Sequence, residues 1–205
     1  MKQASRLLSL LVLTVALVVL TGSACQKSTP ERAWAPGAYH PVTANLKTPP
    51  SLPAGVSVGT ISGYDGDCAS SNQPLYMLVS NSKSNDIDVT FPAGLVFGAS
   101  DTNYEYMILP QEYTFTVAAS ANQDTVVLST YGCNENSLDA PDADASYSIA
   151  GVESDKDTQV LLDLLAGKSL VTGDNVDLVE EAMTEVFEDS TGLQDSTKTQ
   201  LGNLP

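Results

Sequence analysis

The sequence predicts a mainly β fold of the α+β class: an antiparallel β-sandwich followed by a C-terminal layer of two or three short helices. Between residues 54 and 150, short segments rich in β-branched and aromatic residues alternate with turn residues. After Gly151 the spacing of apolar residues becomes helical. Strand and helix patterns do not alternate along the chain, so a parallel nucleotide-binding sheet is not expected.

Eight segments have the length and composition of β-strands, and the turn-forming runs 81–86, 92–94 and 121–124 separate several of them. Short strands spaced by roughly 8 to 12 residues are typical of a sandwich or a barrel. We expect the sandwich. The predicted strands are 56–61, 75–80, 87–91, 94–97, 106–109, 113–117, 125–131 and 147–149.

The helices that follow should form part of the fold. Ser154, with Asp157 three residues later, has the order of a capping box at the start of the first helix. We expect the apolar stripes to dock on the sheet, because burying each large apolar side chain is worth about 1.5–3 kcal/mol. The stripes are Val160, Leu161, Leu164 and Leu165, ending at Gly167, and then Val176, Val179, Met183, Val186 and Phe187, with a short third helix over 195–201.

The N-terminus has the pattern of a bacterial export signal. Lys2 and Arg6 precede a charge-free, mainly apolar run over 7–20, and residues 21–24 are small. The run has 14 residues, whereas a membrane-spanning helix needs roughly 20. We therefore expect residues 1–24 to be a cleaved signal peptide.

The cleavage site resembles the lipobox of bacterial lipoproteins, with small residues before Cys25, although Gly22 stands where the best lipoboxes carry Leu. The resemblance implies acylation of Cys25, and several acyl chains together give stable membrane attachment. Because Gln26 is not the Asp that favours inner-membrane retention, the expected location is the outer membrane, facing the periplasm or the cell surface. The alternative is ordinary cleavage, with Cys25 as a spare thiol.

The rest of the chain divides into a proline-rich tether over 25–53, beginning at the lipidated cysteine, and one domain over 54–205. Loss of Lys2 and Arg6 would leave 25 acidic against 7 basic residues, a net charge of about −18. Such a surface repels nucleic acids and anionic lipids but permits cationic partners or divalent cations. Alternatively, the acidity only keeps the domain soluble.

Cys68 and Cys133 remain once Cys25 carries lipid, and an even pair in an exported protein indicates one disulfide. It would close a loop of roughly 65 residues and stabilise the fold by about 3–4 kcal/mol. Two free buried thiols or a metal pair are the alternatives. The metal pair is the weaker one, because the single histidine, His40, lies in the tether.

The sequence does not predict an enzyme. It lacks the G-x-S-x-G, P-loop, H-E-x-x-H and C-x-x-C motifs, and carboxylate pairs carry no signal among 25 acidic residues. One acidic loop has the oxygen ligands that calcium prefers, without the order of an EF-hand, and a solvated loop is the alternative. The candidate calcium ligands are Glu135, Asp139, Asp142 and Asp144, with Asn134 and Asn136 beside them. No other cofactor is expected.

Several runs resemble a group of exported bacterial β-domains of unassigned activity, chiefly over 75–205. They are VTFPAGLVF (89–97), YEYMIL (104–109), YGCN (131–134), TGL (191–193) and LGNLP (201–205). The resemblance implies a β fold and no chemistry. It departs in the second helix, where the group has a Gln and a Trp and this chain has Glu180 or Glu181 and Val186 or Phe187.

Together these features predict a membrane-anchored cell-envelope lipoprotein that acts as a non-catalytic surface or periplasmic interaction module. Its expected partners are the membrane, through the lipid anchor, and another envelope or extracellular protein, with no nucleic acid. The alternative is a ligand-binding lipoprotein for a divalent cation such as calcium or for a glycan. A hydrolase would require a pocket with convergent carboxylates.

Overall fold

The structure, a computed structural model, describes residues 46–64, 73–133, 138–170, 173–187 and 192–205. The predicted signal peptide, Cys25 and most of the tether lie outside these ranges, as do Cys68 and Glu135. The described chain is mainly β with three short helices. In chain order the elements are β1 (Val56–Gly63), β2 (Gln73–Asn81), β3 (Ile87–Phe91), β4 (Leu95–Ala99), β5 (Met107–Ile108), β6 (Tyr113–Val117), β7 (Asp124–Gly132), β8 (Ser146–Val152), α1 (Lys156–Leu165), α2 (Gly173–Phe187) and α3 (Asp195–Gly202).

All eight predicted strands are present, and most differ from the prediction only at their ends. β2 shows why the pattern was readable: its residues alternate between buried and half-buried positions along the whole strand. Successive side chains of a strand point to opposite faces, so a period of two in apolar residues predicts the strand itself.

The arrangement of the strands differs from the predicted β-sandwich. Six strands close into a barrel in the order β1-β2-β7-β5-β4-β8, and β3 and β6 form a separate two-stranded sheet. β1 closes the barrel because it pairs with both β2 and β8. Its register shifts between Val58 and Ile61, and such a bulge bends a strand and increases its twist. The sandwich prediction missed this closure, which removes the free edges of the six strands.

Two apolar clusters lie on opposite sides of the barrel wall. The inward side chains of the barrel strands, together with Val89, Phe91 and Val117 of the two-stranded sheet, form the inner cluster. Outside the barrel, the helices pack on Val96, Ile108 and Tyr131, which lie opposite one another on three neighbouring strands. β4 and β5 are therefore buried on both faces, and the prediction that the helices dock on the sheet is confirmed.

The first helix begins one residue later than the capping-box order predicted. Its N-cap is Asp155, not Ser154, and the Asp155 carboxylate accepts from the amides of Asp157 (2.9 Å) and Thr158 (3.3 Å). Within α1, Val160 is 37% exposed, so its inclusion in the docking stripe was wrong. The buried face is formed by Thr158, Leu161, Leu162 and Leu165.

A buried carboxylate joins the other two helices. Glu185 in α2 is 8% exposed, and its oxygens accept from the amide of Gln194 (2.8 Å) and the hydroxyl of Thr197 (2.7 Å). Gln194 is the N-cap of α3 and makes no side-chain capping bond. Glu185 thus supplies from a neighbouring helix the negative charge that a helix N-terminus favours.

Folded structure extends upstream of the predicted domain start at residue 54. The backbone groups of Lys47 and Val152 exchange two hydrogen bonds, of 2.8 and 3.0 Å. Leu46 packs against the helix-side cluster and Leu52 against the inner one. In the described ranges, no helix is both long and apolar enough to cross a membrane.

Candidate functional site

The first candidate site is one end of the barrel, here called the barrel mouth, where β1, β4 and β7 end and β2, β5 and β8 begin. The sequence-predicted residues Cys133, Asp139, Asp142 and Asp144 all follow β7 at this end. Glu105 precedes β5 at the same end, and Tyr147 is the second residue of β8. Antiparallel order, rather than proximity in the chain, brings these side chains to one place.

The rim of the mouth is fixed by the loop around Asp142. One Asp142 oxygen accepts from the amides of Asp144 (2.9 Å) and Ala145 (3.0 Å), and the other accepts from the Tyr104 hydroxyl (3.2 Å). Backbone bonds of 2.7 and 3.1 Å link Asp139 to Asn103 and Glu105. Burial, followed by the hydrogen bond and charge of Asp142, raises the pKa of Tyr104. The rim therefore carries a neutral phenol at neutral pH.

Inside the rim lies a buried carboxylate. Glu105 is 4% exposed, and an atom added at the Cα of Gly132 would collide with its Oε2. Glycine at 132 therefore leaves the room that the Glu105 carboxylate occupies. Gln73, also buried, places its Oε1 3.5 Å from the same added atom.

The hydroxyl of Tyr147 is the unusual polar group of the mouth. Tyr147 is 5% exposed, and its buried hydroxyl has no hydrogen-bond partner among the residues that the structure describes. A buried polar group without a partner is destabilising by about 1–3 kcal/mol. Burial raises the pKa of Tyr147, and the charges of Glu105 and Asp142 add to the increase. The phenol therefore stays neutral across the physiological range.

Cys133 is buried and unpaired among the described residues, and its thiol donates to the Tyr106 carbonyl at 3.3 Å. Burial, followed by the charge of Glu105, raises its pKa well above the ordinary value. A protonated thiol is a poor nucleophile, so this environment does not activate Cys133. Because Cys68 lies outside the described residues, the disulfide between them stays a prediction.

The predicted calcium loop is only partly described. Asp139, Asp142 and Asp144 are exposed, and two of the Asp142 contacts are hydrogen bonds within its own loop. Across the described ranges, no three His, Cys, Asp or Glu side chains come together in a group that could hold a metal. Glu135 falls outside those ranges, so the four-ligand site stays a prediction.

The second candidate site is the outer surface of the strands that the helices leave uncovered. We call it the charge-free wall, because its outward positions carry no Asp, Glu, Lys or Arg. Apart from the adjacent pair Gly59 and Thr60, which lie at the register shift in β1, these positions alternate with inward residues of their strands. The wall consists of Ser146, Ser148 and Ala150 of β8, Ser57, Gly59, Thr60 and Ser62 of β1 with the following Tyr64, Pro74, Tyr76, Leu78 and Ser80 of β2, and Thr125, Val127 and Ser129 of β7.

Aromatic and apolar side chains lie at the centre of the wall. Tyr76 is paired with Ser62 on one side and Val127 on the other. Val127 is 40% exposed. The Tyr76 hydroxyl forms a hydrogen bond of 3.3 Å with the Thr125 hydroxyl. Thr125 lies on β7, diagonally opposite Tyr76, because it is paired with Leu78. The hydrogen bond ties the Tyr76 side chain to the neighbouring strand β7.

Sequence reasoning located the mouth residues in part and missed the wall. Glu105 and Tyr147 lie within predicted or neighbouring strand segments, where nothing local marks a buried polar group. The wall did have a signal: alternate positions of four predicted strands are uncharged in a chain of net charge −16. That signal becomes meaningful only when the four strands are known to be neighbours. Comparison of the chain with protein-family models, curated proteins and solved structures finds no match.

Proposed function

We propose that this chain is a membrane-anchored cell-envelope lipoprotein whose barrel domain acts as a non-catalytic surface or periplasmic interaction module. The observation that carries the interaction role is the charge-free wall. Protein surfaces usually carry about 25–35% charged side chains, and the centres of protein interfaces are depleted of charge and enriched in tyrosine. A wall of this composition on an acidic protein suits contact with another molecule.

The anchor is proposed from the N-terminal sequence. Acylation at Cys25 would hold the protein in the outer membrane, and the tether would carry the barrel domain away from the bilayer. Cys25→Ser should move the protein from the membrane to the soluble fraction. Equal membrane retention of this variant would overturn the lipoprotein assignment, and density-gradient separation of the two membranes tests the outer-membrane location.

An exported location also bears on the remaining cysteines. Non-reducing peptide mapping of protein taken from the cell should recover Cys68 and Cys133 in one crosslinked peptide, because disulfides persist in oxidising compartments. Two separately alkylated thiols would instead mean that Cys133 keeps its buried free thiol in the cell.

The interaction role is tested with two matched valine substitutions. Val127 in the wall is 40% exposed and Val160 on α1 is 37% exposed, so each can be replaced by glutamate without burying a charge. Crosslinking in intact cells, followed by capture from detergent-solubilised membranes, should recover a partner with the wild type and with Val160→Glu but not with Val127→Glu. Equal recovery with both variants would place the contact elsewhere on the molecule.

A second candidate function is ligand binding at the barrel mouth, with a divalent cation such as calcium as the ligand. The exposed carboxylates of Asp139, Asp142 and Asp144 at the rim favour it. A ligand at one hundred times its Kd stabilises a folded protein by about 2.7 kcal/mol. Millimolar calcium should therefore raise the melting temperature of the wild type but not of Asp142→Asn. Equal shifts in both proteins would exclude Asp142 from a calcium site.

A further inference from the structure

The charge-free wall is selective in what it can bind. The chain carries 25 acidic residues against 9 basic ones, so a cationic partner is drawn towards the acidic helices and loops. Anionic polymers and anionic lipids are repelled by the net charge. An uncharged partner is neither attracted to the acidic surface nor repelled by the net charge. Its binding to the wall also requires no charged side chain to lose water.

The wall offers two kinds of contact to such a partner. Serine and threonine occupy most of its positions, and each hydroxyl can donate one hydrogen bond and accept two. Between them lie two tyrosine rings. The amide of Tyr64 donates to the carbonyl of Pro74 (3.1 Å), and Ser62 is paired with Tyr76. Tyr64 and Tyr76 are thus diagonal neighbours on adjacent strands, close enough for one ligand to contact both rings.

The Tyr76 ring is held in place before any ligand arrives. Its hydroxyl is bonded to Thr125, and its strand is paired along its length with β1 and β7. Tyr76 is half-buried, so part of its ring is open to solvent, and a side chain that is already hydrogen-bonded loses less freedom on binding. Aromatic faces are negative and attract the C–H groups of a saccharide ring.

These features fit a sugar polymer better than a second copy of the chain. Homodimer interfaces are mostly apolar, about 65% by area, whereas hydroxyl-bearing residues dominate this wall. Two copies of so acidic a chain would also repel each other. Outer faces of small β-barrels are known to bind oligosaccharides in another fold.

We propose that the charge-free wall binds a neutral polysaccharide, with Tyr76 and Tyr64 as stacking platforms and the surrounding serines and threonines as hydrogen-bond partners. This inference rests on the proposed interaction role and names the chemistry of the partner.

The test is affinity electrophoresis of the full chain, purified in detergent, through native gels that contain a polysaccharide. The neutral probes are a β-glucan, dextran, a mannan and a galactan, and the anionic probe is polygalacturonate. At least one neutral probe should retard the protein, and polygalacturonate should not. Tyr76→Ala should raise the dissociation constant obtained from the retardation by about tenfold, as expected for the loss of one stacking contact. Thr125→Val keeps the Tyr76 ring but removes its hydrogen-bond partner. This variant should weaken binding less than Tyr76→Ala does.

The control is Tyr113→Ala, which removes from β6, outside the wall, a tyrosine that is 37% exposed, close to the 38% of Tyr64, and it should leave retardation unchanged. Val127→Glu supplies a second wall variant if Tyr76→Ala melts at a lower temperature. Retardation by none of the neutral probes, or by polygalacturonate equally, would overturn the glycan proposal. Unchanged retardation of both wall variants would do the same. If crosslinked capture is still lost in Val127→Glu while no neutral probe binds, the interaction role stands and only the glycan is wrong.

Discussion

Two buried tyrosines in this fold should respond in opposite ways to loss of the hydroxyl. Tyr131, under the helices, donates to the carbonyl of Leu170 at 3.1 Å, and both residues are buried. Tyr147, in the barrel mouth, is similarly buried, and its hydroxyl has no hydrogen-bond partner within the described ranges. The change from Tyr to Phe removes the same atom in each case, so the difference between the variants isolates the hydrogen bond.

The magnitudes follow from the cost of unsatisfied groups. Tyr131→Phe leaves the Leu170 carbonyl without this donor and should lower the free energy of unfolding by about 1–3 kcal/mol. Tyr147→Phe removes a group that is buried without compensation and should change it by anything from zero to a gain of about 2 kcal/mol. For a domain of this size each kcal/mol corresponds to about 2–4 °C in melting temperature.

The assay is equilibrium urea unfolding at pH 7, where both phenols are neutral, with the m-value checked for constancy. Equal losses in the two variants would refute the reasoning. A loss of more than about 1 kcal/mol in Tyr147→Phe would show that the Tyr147 hydroxyl bonds a water or a ligand in solution.

The same pair predicts an alkaline transition. Burial raises the pKa of both tyrosines above the ordinary value of 10. Above pH 10 the unfolded chain loses these protons while the folded chain keeps them, so stability falls as the pH rises. Either Phe variant should flatten this fall in urea titrations between pH 9 and 11; an unchanged slope in both would contradict the assignment.

Two further substitutions test the packing. Glu185→Ala removes two hydrogen bonds to a buried carboxylate and should lower the free energy of unfolding in urea by about 3–5 kcal/mol. The control, Glu181→Ala, changes an exposed residue of the same helix and should lower it by less than about 0.5 kcal/mol. Similarly small losses in both variants would mean that Glu185 does not join the helices. Gly63→Ala places a methyl group against the Asp142 backbone and should cost about 1–3 kcal/mol. Gly59→Ala, whose nearest neighbour atom would be 3.6 Å away, should be nearly neutral, and equal effects would argue against the tight approach of the Asp142 loop.

Much of the local structure was readable from the sequence. Strand positions follow from a period of two in apolar residues, as β2 illustrates, and helices follow from stripes such as Val179, Met183 and Val186. Both signals come from residues within a few positions of one another. The misplaced N-cap and the exposed Val160 show the limit of such signals, because the end of a helix and its orientation depend on what it packs against.

The barrel, the mouth and the wall were decided by tertiary structure alone. Closure requires β1 to reach β8, and the register shifts that add a residue to β1 and to β8 were not predicted from the sequence. Glu105 and Tyr147 are 42 positions apart and come together because β4 pairs with both β5 and β8. The sequence alone determined which residues alternate inward and outward along each strand. Which outward residues share one uncharged surface depends on which strands are neighbours. Strand pairing joins distant segments, and the free energy that stabilises it comes from contacts in the assembled fold and not from any local pattern.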